Sequence, residues 1–306
     1  MLNSSKSTKS IQRFACFVLA STLPCLSFAE QDWKFDTAIN AMTGHYASSQ
    51  TMDRQHGTGI RMAGEYKQVW GWSTSLQTTQ IKMMPLMPSP TQDQQNWMLS
   101  GYVHTAMDQV PGHWRLQLDG YQIHNNDTVG NSDGVRVLAP LITWIAPTQA
   151  LKVDAGYATS HYKGASPHHQ LTYSLGFGFN QYRDWIELRG YSISQLNPNY
   201  ALGQQNTRAT DLKITHLLAS AAPWVPHAIM VNLERGKKIY FLDVPTQTVY
   251  NLPMMHEGGE KIATTWKLSS GSSLSLIASQ ARYRAEQPAT HHFKLKTLAT
   301  QFEWSW

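Results

Sequence analysis

After Gln31 the chain alternates apolar and polar positions along most of its length. The clearest stretch is QLTYSLGFGFN. Leu171, Tyr173, Leu175, Phe177 and Phe179 fall on one face, and Thr172, Ser174, Gly176, Gly178 and Asn180 on the other. A period of two predicts a β-strand with one apolar and one polar face. The polar face here is small and hydrophilic, which suits a wet interior better than a second packed layer.

The same alternation recurs. Phe35, Thr37, Ile39 and Ala41 oppose Lys34, Asp36 and Asn40, and Ile60, Met62, Gly64 and Tyr66 oppose Arg61, Glu65 and Lys67. Trp97, Leu99, Gly101 and Val103 form one apolar face, and Trp114, Leu116 and Leu118 oppose Arg115, Gln117 and Asp119. Leu151, Val153, Ala155 and Tyr157 oppose Lys152 and Asp154, while Leu212 and Ile214 oppose Asp211 and Lys213. Ile262, Thr264, Trp266 and Leu268 oppose Lys261 and Lys267. Further strands are expected near 70–83, 135–146, 185–195, 227–241, 273–284 and 291–306. The count is about fourteen, with twelve as the alternative, because 185–195 and 227–241 are the least regular segments.

Connections alternate in length. Short ones are expected at 67–69, 109–112, 147–148, 182–184 and 269–273, with a somewhat longer one at 221–226. Long polar or proline-bearing ones are expected at 47–57, 84–95, 125–134, 163–169, 196–208 and 242–259. Short turns alternating with long loops are the connectivity of a transmembrane β-barrel, with an even strand number and both termini on the short-turn side.

Composition sharpens this picture. Residues 1–29 read as a secretory signal peptide: Lys6, Lys9 and Arg13, an apolar run from Phe14 to Leu23, and Ser27-Phe28-Ala29 as the cleavage site. Both cysteines, Cys16 and Cys25, leave with it, so residues 30–306 have no disulfide to staple them. Loss of the three leader cations takes the formal charge from +5 to +2, and no nucleic-acid footprint is left. Mean hydropathy is −0.38, yet the chain carries 11 Trp, 13 Tyr and 9 Phe. Alternation cancels in the mean, which reconciles the two numbers with an all-β, closed antiparallel transmembrane barrel over 30–306. The competing fold is a soluble periplasmic β-sandwich or propeller.

The C-terminus reads Leu298, Thr300, Phe302, Trp304 and Trp306 on one face. A last strand of alternating apolar residues ending in an aromatic resembles the assembly signal of Gram-negative outer-membrane β-barrel proteins. Size and strand number are similar to the small monomeric fourteen-stranded porins, and no motif selects one named family. The resemblance implies insertion into the outer membrane by the barrel-assembly machinery, with outer-membrane lipid and lipopolysaccharide as surroundings.

With the apolar set facing lipid, the lumen is expected to carry Arg61, Glu65, Arg115, Asp119, Lys152, Asp154, Glu187, Arg189, Asp211 and Lys213. Their mixed signs predict weak ion selectivity. Cross-strand pairing can also brace the wall, and the alternative to a water path is that these side chains fill a narrow, plugged lumen. The 242–259 loop, with Val249, Leu252 and Met254, is the expected constriction or lid. No catalytic residue, metal site or cofactor is assigned. His45 with Ser48, Ser160 with His161, and Ser166 with His168 and His169 are short Ser/His coincidences. The pairs His168-His169 and His291-His292 face opposite ways on a strand, a poor chelate geometry. Three functions remain open: a passive channel for small hydrophilic solutes, an export or assembly barrel with a periplasmic partner, and a lipid-modifying enzyme.

Overall fold

A computed structural model describes residues 32–306 except 86, 88, 108–109, 127–131, 164–166, 200, 220–221, 223 and 286–290; the expected signal peptide, 1–29, lies outside the described residues. The strands in chain order are β1 (Trp33–Ala47), β2 (Met52–Tyr66), β3 (Trp70–Met83), β4 (Thr91–Met107), β5 (Val110–Asn125), β6 (Arg136–Ile145), β7 (Leu151–His161) and β8 (His168–Phe179). There follow β9 (Asp184–Ser194), β10 (Thr207–Leu217), β11 (Ala228–Lys238), β12 (Leu242–Asp243), β13 (Thr248–Val249), β14 (Met254–Lys267), β15 (Ser272–Ala285) and β16 (His291–Ser305). Fourteen of them close an antiparallel barrel in which each strand pairs with its sequence neighbours and β1 pairs with β16; β12 and β13 form a separate two-stranded ribbon. Fourteen is thus the barrel count, and twelve is excluded.

Closure is completed at the last residue. Phe35 and Trp306 exchange both backbone hydrogen bonds, each at 3.0 Å. A membrane-spanning sheet needs this, because an open edge in hydrocarbon leaves polar backbone groups unpaired. The rings follow the backbone: Trp304 and Trp306 stack at 6.1 Å, and Trp306 and Phe35 at 6.1 Å. Trp33, Tyr66 and Trp70 continue the cluster around the same rim. Aromatic rings collect at membrane–water interfaces, where an apolar body and a polar edge are both accommodated.

The outer wall is apolar over a continuous belt. Leu99, Leu118, Leu138, Leu175, Phe177, Leu188, Ile262 and Leu298 are all half exposed or more. A soluble monomer does not expose so large a contiguous apolar surface, whereas a barrel in lipid must. Towards the loop end the apolar face changes side. On β16 Leu298 and Phe302 point out, but Phe293 is buried inside. On β3 Leu76 belongs to the outer face and Ile81 is buried; on β15 Leu276 is exposed and Tyr283 buried. The strands β1–β5 and β14–β16 run 14 to 17 residues against 10 to 12 for β6–β11. A tilted strand crosses hydrocarbon in about 9–11 residues. The long strands therefore continue beyond it, where water lies outside and the apolar core lies within.

This corrects several connections. The 47–57 connection is only 48–51, with Gln55 to Gly57 inside β2, and the 84–95 connection ends where β4 begins at Thr91. The 242–259 loop is 239–253, its last residues belonging to β14. The turn between β2 and β3 keeps the expected length. Lys67 and Gln68 both have positive φ, 48° and 57°, and Val69 N–H donates to the Tyr66 carbonyl. That is the primed turn whose twist matches a hairpin.

Candidate functional site

Segment 239–253 does not lie over the mouth; it folds into the barrel. Ile239, Phe241, Leu242 and Val249 are buried. The β12–β13 ribbon packs on inward residues of β4 to β7, among them Met98, Tyr121, Ile123, Val137 and Ala158. Ile239 and Phe241 pack with Ile193, Leu196 and Met255, and Leu252 and Met254 pack on Tyr46, Ile81, Tyr283 and Phe293. Each fully buried Val, Leu, Ile or Phe is worth about 1.5–3 kcal/mol, so the insertion is held by its own burial.

Polar clamps fix its depth. The Gln170 side chain imitates a neighbouring strand: its Nε2 donates to the Leu242 carbonyl at 2.8 Å and its Oε1 accepts from Leu242 N–H at 3.0 Å. His168 Nε2 donates to the Tyr240 carbonyl at 2.8 Å, and Asn251 Nδ2 to the Ser132 carbonyl at 2.8 Å. The Phe241 and Tyr250 rings stack at 4.3 Å across the base of the ribbon.

Beneath the insertion the lumenal charges pair with one another. Lys152 lies 3.1 Å from Asp154, Asp154 lies 3.4 Å from Arg189, Arg189 lies 2.7 Å from Glu187, and Glu187 lies 3.1 Å from Lys213. Asp154 also accepts from Thr143 and Ser174 hydroxyls. This ladder crosses β7, β8, β9 and β10 on consecutive registers. A second group joins Asp211 to Lys238 at 3.3 Å, Lys238 to Glu234 at 3.2 Å and Glu234 to His256 at 3.2 Å. The Lys238 ammonium also sits 4.7 Å above both the Tyr191 and Phe241 rings. Asp119 is buried and accepts from Gln117 and Tyr121. Arg115 lies 3.8 Å over the Tyr102 ring, whose hydroxyl donates to Glu65 at 2.8 Å. Arg61 pairs with Glu303 at 3.2 Å.

A cavity of about 600 Å³ remains between the insertion and the wall formed by β1–β4 and β14–β16. Asn40, Gln77, Gln94, Asn96, Gln247, Asn251 and Gln301 border it, with Ser75, Thr79, Ser279 and Thr297. Of the ten expected lumenal charges, Arg61 alone borders this cavity. Of the other nine, Glu65 lies on β2 and the rest on β5, β7, β9 and β10. Glu234, Lys238 and His256 join these inward charges; bulges between Arg235 and Lys238 and between His256 and Gly258 break the alternation at the last two, whereas Glu234 precedes them in regular register with Asp211.

The Ser/His coincidences separate. Ser160 is buried while His161 is exposed on the opposite face, and His45 bonds the Asp53 carbonyl. Ser166 lies outside the described residues. The two histidine pairs sit on non-adjacent strands: His168 is held inward by Tyr240, and His292 lies outward against Glu257 at 3.0 Å.

No protein-family model and no curated protein matches the chain. Solved structures do. The toluene transporter TodX of Pseudomonas putida superposes with a TM-score of 0.56 at 9% identity, covering 94% of this chain and 93% of that one. A bacterial polysaccharide outer membrane secretin superposes with a TM-score of 0.53 at 8% identity, covering 89% of this chain and 98% of that one. A TodX deltaS2S3 mutant, described as a monoaromatic hydrocarbon channel, gives 0.52 at 10% identity and 94% of both chains. At such identities the likeness is one of fold: the chain has the fold of outer-membrane β-barrel proteins, with no single named family.

Proposed function

We propose that the protein is a narrow, passive outer-membrane channel for small, neutral, hydrophilic solutes, with its loop end outside the cell. One observation carries this reading: the space left beside the insertion is bordered by many carboxamides and hydroxyls, and its few charged side chains, Arg61, Glu234, Glu260 and Lys261, are of both signs. A carboxamide both donates and accepts, so such a wall can exchange hydrogen bonds with a hydroxyl- or amide-bearing solute without trapping either sign of charge. The ion pairs support the same reading. Lumenal charges that satisfy one another project little net field, which leaves weak ion selectivity. Outer-membrane location is supported by the apolar belt and by the fold shared with outer-membrane channels. In this reading Leu298, Thr300, Phe302, Trp304 and Trp306 serve as the signal read by the assembly machinery, since all belong to the outward face of the closing strand.

Liposome swelling with the refolded protein tests the solute class. Small polyols and simple sugars are expected to enter, and ions of either sign and similar size to show no more than a few-fold preference. Swelling no faster than protein-free liposomes, or a strong preference for one sign of charge, would sink the reading.

A further inference from the structure

The outer wall at the loop end carries a second organised surface. Strand register aligns Glu260, Gln280, Lys296, His45, Arg54 and Lys82 in one row across β14, β15, β16, β1, β2 and β3. One tier higher, Arg282 faces Lys294. Like charges placed side by side on neighbouring strands repel, so this row is costly unless an anion covers it. The protein supplies few. Asp53 lies 3.7 to 3.9 Å from His45, Arg54 and Lys82, and Glu260 is occupied by Gln280 Nε2 at 2.9 Å. Among the described residues no carboxylate pairs with Lys294 or Lys296. The side chains of His45, Arg54 and Lys82 are 60 to 66% exposed.

Directly below the row the wall is indented. A shallow groove of about 740 Å³ runs there, bordered by Thr43, Ile262, Ala278 and Leu298 below and by His45 and Lys296 above. Register places Ile262, Ala278, Leu298 and Thr43 side by side on β14, β15, β16 and β1. The small side chains of Ala278 and Thr43 leave the indentation on either side of Leu298.

The height of the row matches a membrane boundary. Lys296 is ten residues from Trp306, whose ring belongs to the aromatic rim at the other end. At about 3.4 Å per residue and a tilt of about 40°, that is about 26 Å along the membrane normal, close to the ~25 Å apolar band of an outer-membrane barrel. The row therefore stands where acyl chains give way to head groups.

We propose that this wall is a binding site for a phosphorylated glycolipid of the outer leaflet, with its phosphates on the Lys296–His45–Arg54–Lys82 row and an acyl chain in the groove below. The proposal rests on the outer-membrane reading and its orientation. From Lys296 to Lys82 the row spans four strands, about 14 Å at 4.8 Å per strand. That is wider than one phosphate and suits a head group bearing more than one.

The test is native mass spectrometry of the full mature barrel titrated with diphosphoryl lipid A, its dephosphorylated form, phosphatidylglycerol and inorganic phosphate. Two variants are compared: R54Q/K294Q/K296Q, which removes cations, and A278W, which fills the groove. All four positions face outward, so heat-modifiable migration is expected to be retained and serves as the folding check. One diphosphoryl lipid A per barrel is expected to persist, with affinity lowered at least about tenfold in each variant. The dephosphorylated lipid and inorganic phosphate alone are expected to bind far more weakly. Equal binding to the native barrel and both variants, or equal binding of phosphatidylglycerol, would overturn the site. A barrel that inserts and conducts but shows no lipid A preference loses only this proposal; a chain that never inserts loses the outer-membrane reading itself.

Discussion

Lys238 shows how much rests on single side chains in this lumen. Its side chain is 2% exposed and faces Asp211, Glu234 and two aromatic rings. Burying a charge is costly unless it is paired, and removing one partner leaves the other uncompensated. Lys238→Ala strands two carboxylates together beneath the insertion. The expected loss of folding stability is about 3–5 kcal/mol, the range for breaking a buried pair. Urea unfolding of the barrel in detergent or lipid measures it. A change within ±0.5 kcal/mol would mean that water reaches these carboxylates freely and that the group is no brace. Arg61 makes the contrast. It pairs with Glu303, each about a third exposed, beside the open cavity, where solvent screens the pair and its contribution is small.

At the scale of elements, β16 carries two separate messages. Its outward face ends in Phe302, Trp304 and Trp306, and its inward face begins with the buried Phe293. Deleting Ser305 and Trp306 removes both hydrogen bonds to Phe35 and the last ring of the aromatic rim. The truncated barrel is expected to lose heat-modifiable migration at a lower temperature and to reach the outer membrane on the order of tenfold less. Native levels in cells would refute the terminal signal, whatever happened to stability. The lipid-facing halves of the strands were legible in the sequence, because one face of each touches hydrocarbon: β8 alternates without interruption from Gln170 to Phe179. The halves beyond the membrane were not. There the outside is wet, so Arg54, His56, Gln80 and Lys82 look like loop residues, while Ile81, Tyr283 and Phe293 turn inward. A period-two pattern whose apolar parity switches partway reads as a strand ending, which is why 47–57 and 84–95 were expected to be longer connections. The bulge after Arg235 hid Lys238 for a related reason.

The whole molecule combines a lipid-facing barrel with a small soluble-like core inside its loop end. The 239–253 insertion fills that core against β4–β7 and leaves the opposite wall, rich in carboxamides, facing a cavity. The charged ladders brace the wall that the insertion rests on, and the charged side chains that border the cavity, Arg61, Glu234, Glu260 and Lys261, are of both signs. Alternation alone was enough to expect the ten charges on the inward face. Which of them would border open space was not, because that depends on where 239–253 goes, and its burial is a tertiary property. Single-channel conductance of the refolded mature protein in a planar bilayer, over a range of salt, tests this arrangement most directly. Small discrete steps that grow with salt, near-equal cation and anion permeability, and larger steps in Val249→Asp, which puts a charge in the apolar seat of the insertion, are expected. A folded, inserted barrel that gives no steps, or a Val249→Asp variant with unchanged steps, would contradict it.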